Sequence, residues 1–131
     1  MKIFVDTNIF LDVLLQREEV ANSTIVLNAV KEGLFEGVVL DITLLNIDYI
    51  AKKQSANVKD FLRLINHSFS VIGANNSTIE EALNLEHGDF EDALQFICAK
   101  NAKCSCVVTH DKAFYQGEIK CITAKEFVKG L

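Results

Sequence analysis

Apolar residues recur along this chain with two alternating periods, and the places where the period changes mark its elements. Ile3-Phe4-Val5 is a short unbroken apolar run ending at Asp6, which predicts a buried strand over residues 2 to 6. Helical spacing follows over about 8 to 16 and about 19 to 32, and Gly33 is placed to close the second helix in the left-handed conformation. A strand over about 35 to 40 precedes helices over about 42 to 54 and about 57 to 66, after which Ser68-Phe69-Ser70-Val71 alternates as a short strand. Ser77 with Glu80, or Thr78 with Glu81, offers a capping box for a helix reaching about 86, and His87-Gly88 ends it. A helix over about 89 to 102 carries the apolar stripe Phe90, Ala93, Leu94 and Ile97 and leads into a strand over about 105 to 109. A strand near 119 to 122 and a helix capped by Thr123 and Glu126 complete the pattern. Strands alternating with helices predict an α/β fold, a three-layer α/β/α sandwich around a parallel sheet of four to five strands.

This pattern gathers acids that the sequence scatters. Asp6 follows the first strand, Asp92 lies in the first turn of a predicted helix, and Asp111 follows Cys106-Val107-Val108-Thr109. In a parallel sheet every helix runs antiparallel to the strands, so strand C-termini and helix N-termini share one edge. That edge is where open α/β sheets bind ligands, at the point where strand order reverses. Carboxylates brought together repel unless some protonate or a cation sits among them. A divalent metal site is therefore the first functional expectation, and oxygen-only ligands suit Mg2+ or Mn2+ rather than zinc.

Composition narrows the class. The 131 residues are 50% hydrophobic and 24% charged, proline is absent, and the six glycines are dispersed, so one domain over residues 1 to 131 is expected. No run of about 18 apolar residues and no basic-then-apolar leader occurs, so a soluble cytoplasmic protein is expected, with no membrane partner. Cys98, Cys104, Cys106 and Cys121 fall in apolar segments rather than in the close pairs of a zinc knuckle, which predicts buried, reduced thiols. The net charge of -5 argues against a broadly basic nucleic-acid binder but leaves room for a local patch. Lys52, Lys53, Lys59 and Arg63, with Asp60 among them, are the densest basic cluster, read first as a solvated face and second as an RNA-backbone patch.

Three blocks together resemble the signature of the PIN domain: Ile3-Phe4-Val5-Asp6-Thr7-Asn8-Ile9-Phe10-Leu11-Asp12, Asp89-Phe90-Glu91-Asp92-Ala93-Leu94, and Val107-Val108-Thr109-His110-Asp111. Cys121-Ile122-Thr123-Ala124-Lys125-Glu126-Phe127 is similar to the family's usual ending. Bacterial members include VapC-type toxins, magnesium- or manganese-dependent ribonucleases. The resemblance implies that activity here, on single-stranded or structured RNA, with an antitoxin protein and a homodimer as possible partners. It also implies Asp6, Asp92 and Asp111 as catalytic metal ligands, Asp111 either completing the site or orienting the attacking water. Asn8 and Thr109 are expected behind them, fixing carboxylate rotamers by hydrogen bonds. The family pattern has a further acid on the helix after the second strand, where this chain carries Asn46; Asp48 lies two residues on, about 200° around a helix. We place Asn46 at the site and Asp48 outside it.

Each residue also has a plain structural reading. Asp6 and Asp89 are good helix N-caps, Asp92 suits a first turn, and Asp111 before Lys112 suits a turn. Asp89 is read as a cap. His67 and His87 suit helix ends, and His110 is read as a solvent-facing turn residue before a phosphate contact. Phe10, Leu14 and Leu15 suit a dimer interface or the core equally. Two other α/β classes fit poorly. A response-regulator receiver needs an acid after the third strand, where Gly73-Ala74-Asn75-Asn76 stands, and a haloacid-dehalogenase-type phosphatase needs an Asp where Asn8 stands. The alternative of a different kind is a non-catalytic PIN-fold module that binds RNA or protein without cutting.

Overall fold

Side chains on a strand alternate between two faces, and in the first strand both faces are apolar. Ile3 and Val5 point into one buried cluster and Phe4 into another, all fully inaccessible to solvent. A strand buried on both sides needs helices on both sides, and this decides the architecture. The computed structural model describes residues 1–131 apart from 55–56, 87 and 112–116. In chain order the elements are β1 (Lys2–Val5), α1 (Thr7–Leu14), α2 (Val20–Lys31), β2 (Glu36–Leu40), α3 (Asp41–Ala51), α4 (Val58–Ser68), β3 (Phe69–Ile72), α5 (Asn76–Leu83), α6 (Phe90–Asn101), β4 (Cys106–Val108), β5 (Lys120–Ile122) and α7 (Ala124–Lys129).

The five strands form one parallel sheet in the order β3-β2-β1-β4-β5. One face, with Ile3, Val5, Val39, Cys106 and Val108, is covered by α1, α2, α3, α4 and α7. The other, with Phe4, Val38, Leu40 and Val107, is covered by α5 and α6. The predicted three-layer sandwich is the fold observed. The chain builds outward from β1 through β2 to β3, then returns to the other side of β1 with β4. Strand order therefore reverses between β1 and β4, where Ile3 pairs with Cys106 and Val5 with Val108.

Local chemistry accounts for most boundaries. Gly33 has φ +81°, and the Gly33 and Leu34 N–H groups return to the carbonyls of Val30 and Ala29, closing α2 as its sequence predicts. Thr123 and Glu126 form the reciprocal capping box of α7. At α5 the cap differs from expectation. Asn75, not Ser77 or Thr78, accepts from the Thr78 N–H at 3.0 Å, since its extended backbone frees the side chain to fold back while the later residues are already helical. That helix ends at Leu83; the His87 part of the predicted stop lies outside the described residues. Strand β3 begins one residue later than predicted because α4 runs through Ser68. The stripe on α6 is also corrected. Ala93, Leu94 and Ile97 are buried, whereas Phe90 in the first turn is 46% exposed.

Phe10 is fully buried and stacks edge-to-face on Phe69, with ring centroids 5.2 Å apart, so the core is its destination. Leu14 and Leu15 pack partly buried against the same cluster. Cys98, Cys104 and Cys106 are buried, Cys121 is half-buried, and all four are free thiols. The basic cluster is solvated, its Arg63 paired with Asp60 at 3.0 Å on an exposed surface. Among the described residues no helix is long and apolar enough to cross a membrane.

Gly37 makes room for the aromatic contact. A Cβ there would stand 2.5 Å from the Phe69 ring and 2.7 Å from Val30 Cγ1. Gly37→Ala should destabilise the fold by about 1–3 kcal/mol, the usual cost of overpacking, read as a lower urea midpoint at unchanged slope.

Candidate metal centre at the acidic edge

Asp6 sits where β1 ends and α1 begins, because its backbone is extended while its neighbour is helical. Its N–H donates to the Val108 carbonyl at 3.0 Å, tying it to the end of β4. Its two carboxylate oxygens are used separately. Oδ1 accepts from the Thr7 N–H at 2.7 Å, and Oδ2 accepts from the Thr109 hydroxyl at 2.8 Å. The cap reading and the site reading thus hold together for one side chain. Asp89 caps α6 by accepting from the Asp92 N–H at 3.1 Å, which leaves Asp92 one turn in, buried and turned toward β1. The Asp111 N–H donates to Thr109 Oγ1 at 3.1 Å, so one threonine positions both Asp6 and Asp111.

These elements enclose a cavity of about 380 Å³ lined by Asp6, Thr7, Asn8, Asn46, Tyr49, Ile50, Asp89, Glu91, Asp92, Gln95 and Asp111. All three sequence-predicted acids are on its wall. Asn46 lines it too, its amide donating to Glu91 Oε1 at 2.9 Å. Asp48 faces the other side of α3, in a groove with Leu44, Leu45, Lys59 and Leu62. Asn8 is exposed on the cavity rim, where its Oδ1 accepts from Arg17 at 3.4 Å, and holding Asp6 falls to Thr109 and the Thr7 N–H.

Burial and mutual repulsion set the charges. Burial, more than any neighbour, pushes the Asp6 carboxyl above the ordinary aspartate range; hydrogen bonds from Thr109, Thr7 and Gln95 oppose it, and the Asp111 charge adds to it. Glu91 is raised by burial and then by Asp6 and Asp89, with the Asn46 amide acting against them. Asp92 is raised from 3.8 to about 7, first by burial, then by a hydrogen bond with Asp111, then by the charges of Asp89, Asp111 and Asp6. A hydrogen bond between two carboxyl groups requires a proton between them. Burial and the surrounding acids thus keep a proton on Asp92 to well above the ordinary aspartate range. The carboxylate ligands offer only oxygen, and a divalent cation would answer the same repulsion that raises Asp92, so the residues fit a hard ion. The acids surround the cavity rather than closing on one point; among the described residues no three His, Cys, Asp or Glu side chains form a ready-made ligand cluster. The thiols contribute no competing chemistry. Burial pushes Cys98, Cys104 and Cys121 to about 11 and raises Cys106, so none is a thiolate at neutral pH.

His110 departs from the solvent-facing turn read in the sequence. Its Nε2 lies 2.9 Å from Asp12 Oδ2, which also accepts from the buried Ser23 hydroxyl at 2.9 Å. An acid on α1 and a serine on α2 had no sequence signal linking them to residue 110, because the contact exists only once β4 lies beside β1. Lys112, the other neighbour of Asp111, lies outside the described residues. Sequence reasoning also passed over Glu91 and Gln95. Gln95 is 1% exposed on α6 within a buried run from Asp92 to Ala99, and its three-residue spacing from Asp92 was the available signal.

With the geometry in view, comparison with known proteins is decisive on family. The PIN domain profile matches residues 2–113. The chain belongs to the PIN domain family. It is 26% identical to "Ribonuclease VapC1" of Aquifex aeolicus (strain VF5) over 139 residues, covering 96% of this chain and 92% of that protein. Its fold is similar to that of a toxin–antitoxin complex from Klebsiella pneumoniae, with TM-score 0.72 and 20% identity over 93% of this chain and 97% of that one. The sarcin-ricin loop cleaving toxin VapC20 of Mycobacterium tuberculosis superposes with TM-score 0.68 at 13% identity, covering 86% and 92% of the two chains. The PIN fold thus rests on the profile, the sheet order and these superpositions together.

The raised acids predict how stability varies with pH. A carboxyl whose pKa is higher folded than unfolded keeps its proton longer in the folded chain, so stability is greatest at low pH and is lost as pH rises through the folded value. For Asp92 that window runs from 3.8 to about 7, and Asp6 and Glu91 act in the same direction. The metal-free melting temperature should therefore fall between about pH 4 and pH 7. In Asp92→Asn the fall should be shallower and the neutral-pH melt higher, both read by calorimetry.

Proposed function

We propose that this PIN domain protein is a divalent-metal-dependent endoribonuclease, acting on single-stranded or structured RNA as the toxin of a toxin–antitoxin pair. The observation that carries the reading is the convergence of Asp6, Asp92 and Asp111 on one cavity at the strand-order switch. The Aquifex relative, a ribonuclease by name, supports ribonuclease chemistry, and the Klebsiella toxin–antitoxin complex supports an antitoxin partner. Asp6, Asp92 and Asp111 would hold Mg2+ or Mn2+. Glu91, bracketed by Asn46, supplies further negative charge on the side of the cavity where α3 itself offers only an amide. When bound, the cation would acidify a water, polarise the phosphate and stabilise the leaving oxygen.

The chain's own groups divide the remaining work. Thr109 and the Thr7 N–H hold Asp6 in one rotamer, so its carboxylate needs no reorganisation when charge develops. Asp92 and Asp111 would supply carboxylate oxygens to the ion from α6 and from the end of β4; Asp111, placed by its N–H on Thr109, would also accept a proton from the attacking water. Tyr49 stands exposed on the rim with Lys52 Nζ 5.8 Å from its ring centroid, offering a stacking face and a cation to an unpaired nucleotide.

Manganese or magnesium should stabilise the protein, by about 2.7 kcal/mol when the ion is a hundredfold above its Kd, because only the folded state gathers the acids. Melts with and without metal measure this, and coincident melts at millimolar metal would remove the main support for the site. RNA hydrolysis should require the ion and fall by about two orders of magnitude or more in Asp6→Asn and Asp111→Asn with the circular dichroism unchanged. Native protein that binds RNA but never cuts it with either ion would identify the non-catalytic module instead.

Asn46→Glu tests the amide in the cavity wall. It should lower the metal-free melting temperature and tighten calorimetric manganese binding, whereas Asp48→Asn, on the opposite side of α3, should leave manganese affinity unchanged.

A further inference from the structure

Gln95 is the residue of α6 that helix packing leaves unexplained. Its side chain is 1% exposed, lies on the same helix face as Asp92, and lines the acidic cavity. Its amide hydrogen-bonds the Asp6 carboxylate. A carboxylate only accepts, so the amide nitrogen faces Asp6 and Oε1 is turned away from it. Among the described residues, Oε1 of Gln95 is the one buried side-chain polar atom with no hydrogen-bond partner.

An unmatched acceptor is destabilising, and a neighbouring leucine would fill the space without that cost. No described group donates to it, so its match has to arrive with whatever enters the cavity. The waters of a hydrated divalent cation are strong donors, and magnesium keeps several of them when protein carboxylates bind it. We propose that Gln95 is a positioning residue of the metal centre, its nitrogen holding Asp6 and its oxygen accepting a hydrogen bond from a water on the bound ion. This rests on the metal reading above and adds to it a residue from outside the acidic set. The assignment joins the carboxylate that caps α1 to the hydration shell of the ion through one rigid amide.

The test uses the native chain and magnesium chloride alone. The Gln95 side-chain carbonyl carbon and amide protons should shift in NMR spectra with the same saturation curve as the Asp92 backbone, while the Gln16 and Gln54 carbonyl carbons stay in place. Manganese affinity by calorimetry should fall about tenfold or more in Gln95→Met, the range for losing a group behind a metal ligand, with the circular dichroism unchanged. A Gln95 carbonyl that stays still while Asp92 saturates overturns the assignment and leaves the metal centre standing. So does a folded Gln95→Met that binds manganese as tightly as the native chain, or a Gln95 response that requires RNA. No magnesium-dependent shift anywhere along the acidic edge overturns both readings.

Discussion

The carboxylate of Asp6 joins two strands, one helix and the cavity. One oxygen caps α1, the other accepts from Thr109 at the end of β4, and the backbone N–H of the same residue reaches Val108. Because β1 and β4 are the strands between which chain order reverses, no helix passes over this junction, and a crevice opens there. Several residues at the acidic edge are tied to this one: Asp111 through Thr109, and Gln95 through its amide.

That junction is electrostatically unfavourable, and the rest of the chain tolerates it. Asp6 and Asp92 are buried and raised, and Glu91 leans on the only amide that α3 turns into the cavity. Two apolar layers oppose the strain, one between the sheet and α1, α2, α3, α4 and α7, the other between the sheet and α5 and α6. Full burial of a single Ile, Leu or Phe side chain contributes about 1.5–3 kcal/mol, so a few such residues outweigh a repelling carboxylate pair. The arrangement leaves the cavity responsive to protons and cations, while the core beneath it stays independent of both.

Asp111 is held from two sides. Thr109 Oγ1 accepts from its backbone, and the preceding His110 is fastened to Asp12, with the buried Ser23 hydroxyl on the same carboxylate oxygen. Asp12 and Asp6 are both on the Asp6–α1 segment. The α1 segment thus grips the end of β4 at two points, through Thr109 and through His110, and both place the acid that follows them. Such placement suits a group whose task depends on where it is aimed.

Much of this was legible in the chain as written. Short apolar runs and the alternation Ser68-Phe69-Ser70-Val71 named strands, helical spacing named the helices, and Gly33 and the Thr123–Glu126 box marked helix ends, because these are local preferences that adjacent residues satisfy without tertiary help. The acids Asp6, Asp92 and Asp111 were legible as a set, since strand and helix direction alone assign them to one edge. Partnerships were not. That Asn46 reaches Glu91, that His110 finds Asp12, and that Gln95 lies against Asp6 are contacts between residues 45, 98 and 89 positions apart in sequence. The α5 cap was misplaced for a related reason: Asn75, Ser77 and Thr78 are comparable caps on paper, and the path of the chain leaving β3 chose among them. Local sequence determined what each segment is and which edge its ends occupy. Only the strand order, with β4 returning to pair with β1, decided which side chains meet across that edge, because hydrogen bonds act over about 3 Å and the chain does not carry that distance in its spacing.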